Sequence, residues 1–221
     1  RRGGGRLLGR ALGGLLASLL EPPEAFPLAR FLLTTLSFHC ATFLFVHVFL
    51  RENGDTWSGA FGLRVSGAGR VVVWAAGLTV LVLPGVWVLS SLSVWGIRWM
   101  QMEPEAQQAV MALREAADPL QQVVMSGVAV LVAPAAEETL FRGVLYPAVK
   151  RWLGGAGSAV LTAIVFAVIH ANLMTLVPLF FLALFFTWLY ERTGTLMAPV
   201  IGHATFNLAN VIFLLAGLGP T

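Results

Sequence analysis

Long apolar runs, separated by short polar stretches, limit this sequence more than any other feature. A helix needs about 20 predominantly apolar residues to cross a bilayer. Runs of this kind occupy residues 27–50, 71–100, 121–153, 156–173, 175–191 and 195–218. Only 11% of the 221 residues are charged, against about 25% in a water-soluble domain. The sequence therefore predicts an all-α, polytopic transmembrane helical bundle with roughly six or seven spans.

The chain divides by composition into three regions. Residues 1–26 carry arginines around a glycine run, followed by an apolar stretch too short to span, which predicts a basic interfacial segment. Residues 27–120 contain two predicted transmembrane helices with polar connectors, and residues 121–221 contain the remaining helices. Because the sequence starts at Arg1 without a methionine, we expect a trimmed N-terminus.

The basic residues indicate membrane topology rather than nucleic-acid binding. The net charge is +3, but the arginines are scattered between apolar runs instead of forming one basic face. Six Lys and Arg residues occur in the 51–70 loop, at Lys150-Arg151 and at Arg192, which predicts that this side is cytoplasmic and that the acidic connector 101–120 lies outside. Lys150 is the single lysine of an Ala-, Gly- and Leu-rich chain, so we expect a bacterial inner-membrane protein.

The first apolar run contains the one cysteine and two of the four histidines. Cys40 is predicted to be a small buried apolar side chain. His39 and His47 are eight residues apart and share a helix face, so we expect them to pack against neighbours or to lie at headgroup level.

Polar side chains interrupt the later apolar runs at three places. An ionisable residue inside a membrane helix costs at least a few kcal/mol, so it is a candidate functional residue. The three sets are Glu137-Glu138 with Arg142, Phe166 with His170, and His203 with Asn207.

Helical spacing separates the roles of these residues. Glu138 and Arg142 are i,i+4 neighbours, so they can form a pair that neutralises both charges. Glu137 points about 100° away from that pair and is left free. His203 and Asn207 are also i,i+4 neighbours and present an imidazole and an amide side by side.

Counting residues from the predicted turns places the three sets at one depth. If Gly154-Gly155 closes an antiparallel hairpin, Glu138 lies 16 residues before Gly154 and His170 lies 16 residues after it. The same counting brings His203 within roughly two turns of that level. Pro134 and Pro199 each precede a polar residue by four positions, and we expect each to bend its helix and open space there.

These residue types support hydrolysis of a peptide bond without a covalent intermediate. A glutamate and a histidine can hold and deprotonate a water, while a second histidine and an amide can stabilise the oxyanion. His170, His203 and Glu137 would also suit a catalytic divalent metal such as zinc. The spacing does not choose between a metal-held and a protein-held water.

At these positions the chain resembles the CPBP intramembrane proteases, the family of CAAX proteases and bacteriocin-processing enzymes that includes the type II CAAX prenyl endopeptidases and the abortive-infection (Abi) proteins. The family pattern is E-E-x-x-x-R, then F-x-x-x-H, then H-x-x-x-N on successive helices. This sequence matches all three with Glu137-Glu138…Arg142, Phe166…His170 and His203…Asn207. The resemblance covers about residues 121–215 and makes residues 121–221 the expected catalytic core.

The resemblance implies a helical membrane fold with its active site inside the membrane. It implies that Glu137 is the water-activating base, that His170 shares this water, and that His203 and Asn207 stabilise the oxyanion.

The same resemblance makes Glu138 and Arg142 a supporting pair, and it implies a metallo- or glutamate endopeptidase. The expected partners are a small peptide or membrane-protein substrate and the lipid bilayer. No nucleic-acid partner is expected.

Other interpretations of the polar sets compete with proteolysis. The charged cluster could be a buried ion-pair network that only fixes helix packing. Intramembrane glutamates and histidines also serve ion-coupled transporters. A third possibility is a catalytically silent membrane scaffold or bacteriocin-immunity protein of the same fold.

Overall fold

The computed structural model describes residues 27–64, 66–116 and 118–218, which contain helices and turns but no strand. The helices are α1 Pro27–Glu52, α2 Trp57–Ala60, α3 Ala68–Trp99, α4 Gln108–Glu115, α5 Pro119–Gly127, α6 Ala133–Glu138, α7 Tyr146–Ile169, α8 Leu173–Thr193 and α9 Met197–Leu215. Two π-helical segments, Val128–Val132 and Thr139–Leu145, connect α5 to α6 and α6 to α7. The predicted interfacial segment 1–26 lies outside the described residues.

Five helical segments of the described residues are long and apolar enough to cross a membrane. They are Phe31–Glu52, Ala68–Trp99, Pro119–Ile169, Leu173–Thr193 and Met197–Leu215. The predicted class, a polytopic all-α membrane protein, is confirmed. The sequence predicts roughly six or seven spans, whereas the described residues contain these five segments. The longest segment, Pro119–Ile169, is interrupted at Gly154.

The break lies at Gly154, as the glycine pair predicts. Gly154 has φ 69° and ψ 179°, a conformation that is essentially restricted to glycine. Beyond it the chain runs back, because the Phe141 and Phe166 ring centroids are 5.0 Å apart. The predicted hairpin is therefore present, and it brings the first two polar sets to the same level.

Helix ends are set by local chemistry at the remaining turns. The Asp118 side chain caps α5 by accepting from Leu120 N at 2.9 Å. The Asn172 side chain caps α8 by accepting from Thr175 N at 3.0 Å. Gly194 ends α8 with φ 65°, a left-handed position that favours glycine.

The chain forms two compact units, Arg1–Phe38 and His39–Thr221. In the described part of the first unit, a stretch of α1, Leu33 and Phe38 are exposed apolar side chains, as expected of a helix that faces lipid. The second unit contains the rest of α1 and every later helix.

Cys40 corrects one expectation in the second unit, because its side chain is exposed rather than buried. The neighbouring side chains of Leu44 and Phe45 are exposed as well. Lipid surrounds a membrane helix with an apolar medium, so an apolar run does not imply burial in protein.

The core of the second unit lies between α3, α7, α8 and α9, with Phe141 packed against it. Small residues let the helices approach closely: an added Cβ on Gly202 would lie 2.9 Å from Leu189 Cδ1. The buried members include Ala75, Val86, Phe141, Ala163, Phe166, Ala167, Leu182, Ala183, Phe186, Leu189 and Ala198. Three polar sets project into the same region.

Candidate active site

Glu138 is the centre of a buried ionic cluster. Its side chain is fully enclosed, and Oε1 accepts from Arg142 Nη1 at 2.9 Å. The same oxygen is 2.9 Å from His203 Nδ1. An ionised carboxylate only accepts hydrogen bonds, so this contact places a proton on Nδ1. The predicted i,i+4 pair of Glu138 and Arg142 is thus joined by an imidazole from the last helix.

Arg142 is held by backbone and aromatic groups as well as by its carboxylate. Nη2 donates to Ala183 O at 2.6 Å. The guanidinium carbon lies 5.1 Å from the centroid of the Phe166 ring and 5.5 Å from that of Phe186, which is cation–π distance. These contacts fix the charge between α7 and α8.

Glu137, one residue earlier, is arranged differently. Its side chain is 21% exposed, and its buried Oε2 has no hydrogen-bond partner among the described residues. His203 Nε2 is 3.9 Å from Oε2, which is too far for a direct hydrogen bond. The two adjacent glutamates therefore differ: Glu138 binds Arg142 and His203 through Oε1, although its own Oε2 is unpartnered as well, whereas no described residue makes a hydrogen bond to Glu137.

His203 lies between the two carboxylates. Its ring stacks on Phe186 at a centroid distance of 5.0 Å and an angle of 23°. This contact and the Nδ1 hydrogen bond fix the ring, so Nε2 points towards Glu137. One imidazole consequently contacts both members of the glutamate pair.

His170 follows the last residue of α7 and is half-buried. Its Nδ1 is 2.6 Å from Phe166 O, and because a carbonyl only accepts, Nδ1 carries the proton. Nε2 is then available to accept a hydrogen bond or to bind a proton. Within the described residues no hydrogen bond joins His170 to Glu137 or His203; the Phe166 ring, 4.8 Å from the His170 ring and 6.0 Å from the His203 ring, separates the two histidines.

Asn207 is engaged by the backbone of the opposite helix. In a π-helix, Ala129 O would accept from the N–H of residue 134, but Pro134 has none. The preceding N–H, that of Ala133, donates to Val128 O. Asn207 Nδ2 donates to Ala129 O at 2.7 Å instead. Pro134 thus leaves a carbonyl without its helical hydrogen bond, and Asn207 satisfies that carbonyl; the expected bend stays a prediction.

The expectation that Pro199 bends its helix is wrong. α9 begins at Met197, so Pro199 is its third residue. The first four N–H groups of a helix have no partner inside it, and a proline there removes no hydrogen bond.

The three predicted metal ligands, Glu137, His170 and His203, are not gathered by the fold. No group of three or more His, Cys, Asp or Glu side chains in the described part of the chain is placed to hold a metal ion. Each imidazole has its Nδ1 engaged, one by Glu138 and the other by Phe166 O, which leaves only Nε2 of each ring as a possible ligand atom. Because these atoms and the Glu137 carboxylate are not brought together, the side chains as arranged do not fit a metal site.

Two groups of the site, the Phe186 ring and the Ala183 carbonyl, could not be predicted from the sequence. Phe186 contacts both His203 and Arg142, yet it is one of fifteen phenylalanines and belongs to no polar motif. The Ala183 carbonyl, one turn earlier on α8, contributes backbone only. Helical periodicity on α8 could not find either, because every face of that helix is apolar.

Comparison with known proteins supports the resemblance carried by these motifs. Residues 119–209 match the profile of the family described as Type II CAAX prenyl endopeptidase Rce1-like. The chain is 28% identical over 113 residues to "Putative membrane peptidase YdiL" of Bacillus subtilis (strain 168), covering 51% of this chain and 44% of that protein. It is 33% identical over 92 residues to "Uncharacterized 24.3 kDa protein" of Escherichia coli, covering 38% of this chain and 41% of that protein.

The chain therefore spans less than half the length of each of these two relatives. No solved structure matches it significantly. The matched region, 119–209, contains all six candidate site residues.

Proposed function

Because residues 119–209 are Rce1-like, we propose that this protein is an intramembrane endopeptidase in which Glu137 activates the attacking water. The proposal rests on one observation above all others. Of two adjacent glutamates, Glu138 binds Arg142 and His203 through one oxygen, while Glu137 lies beside the same cluster with no hydrogen bond to any described residue.

The proposed oxyanion donor is His203 Nε2, which lies on the opposite side of the ring from the Glu138 contact and faces Glu137. Since Nδ1 donates to Glu138, donation from Nε2 as well requires the imidazolium form, in which each ring nitrogen carries a proton.

The proposed reaction is a direct attack of water on the scissile carbonyl. Glu137 removes a proton as the water oxygen bonds to the carbonyl carbon, and the carbonyl oxygen becomes an oxyanion. When the intermediate collapses, the carbon–nitrogen bond breaks and Glu137 gives its proton to the leaving amine. One water is consumed, and a carboxylic acid and an amine result.

The remaining site residues are assigned supporting roles in this reaction. His170 Nε2 holds the water together with Glu137, since its Nδ1 proton is occupied by Phe166 O. Asn207 has one amide N–H on Ala129 O and keeps a second for the oxyanion. Glu138 and Arg142 orient His203 and do not contact the reacting atoms.

The proposed substrates are small peptides or membrane-associated proteins that enter from the bilayer. A site lined by Phe166 and Phe186 suits a bond flanked by apolar side chains. The proposed location is the bacterial inner membrane, with the basic loop 51–70 on the cytoplasmic side.

The deciding experiment compares wild-type protein with Glu137→Gln on a library of membrane peptides, with products read by mass spectrometry. The amide keeps the shape of the side chain but is not a base, so we expect cleavage to fall by at least about 100-fold. Glu103→Gln removes an exposed carboxylate from the connector and is the matched control, with unchanged cleavage expected.

Two further arms separate the alternatives. Cleavage that survives Glu137→Gln would overturn Glu137 as the base. Cleavage that is lost on dialysis against a chelator and restored by zinc would replace the protein-held water with a metal-held one. Absence of cleavage by a folded wild-type protein would favour the silent scaffold.

A further inference from the structure

A second polar arrangement lies away from the glutamates, at the end of the bundle where α3 begins and α8 ends. The Trp74 and Trp188 rings stack there with centroids 5.6 Å apart and planes 30° apart. Their side chains are 38% and 40% exposed, so this pair is on the protein surface. Phe185 continues the stack, 6.0 Å from Trp188.

An arginine flanks each tryptophan at helical spacing. Arg192 lies four residues after Trp188, and its guanidinium carbon is 5.6 Å from the indole centroid. Arg70 lies four residues before Trp74 on the same face of α3. The two pairs meet through the stacked rings, and both arginines are exposed.

Neither arginine is neutralised by an acid in the described residues. Glu191, the neighbour of Arg192, is taken by Lys150, whose Nζ is 2.7 Å from both carboxylate oxygens. The first turn of α3 contains no acid. Among the described residues no ion pair involves Arg70 or Arg192.

The position of this surface relative to the bilayer follows from the helices. Arg70 is the third residue of the span Ala68–Trp99, and Arg192 is the penultimate residue of the span Leu173–Thr193. We therefore expect both guanidinium groups to lie near the level of the lipid headgroups.

We propose that Arg70, Trp74, Trp188 and Arg192 form a binding site for one anionic phospholipid. The two arginines contact the phosphate, which carries the negative charge of the lipid. The indole faces and Phe185 contact the first methylene groups of an acyl chain. This function is independent of the proposed peptidase activity, because none of these residues contacts the glutamate cluster.

Native mass spectrometry of the delipidated full chain tests the site with two named probes, dioleoyl phosphatidylglycerol and dioleoyl phosphatidylcholine. We expect one phosphatidylglycerol to bind at least about tenfold more tightly than phosphatidylcholine. Each arginine near an anionic lipid is worth about fivefold in affinity, so Arg70→Gln with Arg192→Gln should lose about thirtyfold for phosphatidylglycerol. Phosphatidylcholine binding should fall much less, because its own choline cation offsets the charge of its phosphate.

The control is Arg151→Gln, which removes an exposed arginine from the same end of the bundle without touching the tryptophan pair. We expect less than a twofold effect. An equal loss in this control would mean that overall charge, not a site, attracts the lipid, and the proposal would fall. It would also fall if phosphatidylglycerol bound no better than phosphatidylcholine, or if millimolar inorganic phosphate displaced it, since the ligand would then be a free anion. Elution of the variants as monodisperse protein checks their folding.

Discussion

Arg142 and Glu138 form a buried ion pair at the centre of the candidate active site. Arg142 is 2% exposed and Glu138 is fully buried, so each charge depends on the other. Removing one member of a buried pair leaves an uncompensated charge, which costs about 3–5 kcal/mol. Replacing both members by neutral residues costs less. The residue sequence predicted this pair from its i,i+4 spacing alone.

At this scale we expect Arg142→Met to destabilise the protein by about 3–5 kcal/mol, and the double variant Glu138→Gln/Arg142→Met to be more stable than that single variant. Thermal unfolding in detergent measures both. Arg151→Gln, at an exposed position, should leave the midpoint unchanged. If the double variant were as unstable as Arg142→Met, lost packing rather than an isolated charge would be responsible.

The element that carries the glutamates is an α-helical segment, Ala133–Glu138, between two π-helical segments. The first of these contains a carbonyl, Ala129 O, that Pro134 cannot satisfy and that Asn207 does. Asn207 therefore connects the glutamate helix to the histidine helix whatever its part in the reaction. Pro134 correctly indicated a lost helical hydrogen bond at this element. Pro199 costs its helix no hydrogen bond, because it lies in the first turn.

We expect Asn207→Leu to cost about 1–3 kcal/mol, the penalty for leaving a part-buried carbonyl unpaired. In a Pro134→Ala background the new N–H can satisfy Ala129 O, so the same substitution should cost clearly less. A double-mutant cycle of thermal stabilities measures this difference.

Asn210→Leu is the matched control for that cycle. Asn210 lies one turn further along α9 and bonds Trp87 and Phe206 O instead. Its cost should be the same with and without Pro134. An Asn207 cost that is also independent of Pro134 would contradict the link through Ala129.

At the scale of the whole second unit, the loop before α3 closes against the turn between α8 and α9. Leu196 N donates to Phe61 O at 3.0 Å. Gly62 has φ +60°, and a Cβ there would lie 2.3 Å from Gly194 O. Backbone atoms cannot move aside as a flexible side chain can. Position 62 therefore requires glycine for two reasons: the positive φ, and the lack of space for a Cβ beside Gly194 O.

Gly62→Ala and Gly54→Ala separate those two reasons. Both glycines have positive φ, but an added Cβ on Gly54 meets nothing within 4 Å. Both variants should lose about 1 kcal/mol for the left-handed conformation. Gly62→Ala should lose about 1–3 kcal/mol more for the clash, seen as a lower thermal midpoint. Equal midpoints for the two variants would show that the loop does not hold this position in solution.

Sequence patterns were enough to predict the membrane class, the break at Gly154 and the residues of the three polar sets. Each of these depends on local chemistry: the length of an apolar run, a conformation open only to glycine, or an i,i+4 spacing. Counting residues from the Gly154 turn was enough to place Glu138 and His170 at one depth, since the rise of a helix is constant.

The partners of these residues follow from the packing of the helices. Packing places His203 on Glu138, Asn207 on Ala129 O and Arg142 on Ala183 O, and it leaves Glu137 without a hydrogen bond to any described residue. It also selects Phe186 for the site and leaves Cys40 exposed. The physical reason is that lipid and protein interior are equally apolar. An apolar side chain therefore carries no signal for which of the two it will face, and only the packing of the helices settles it.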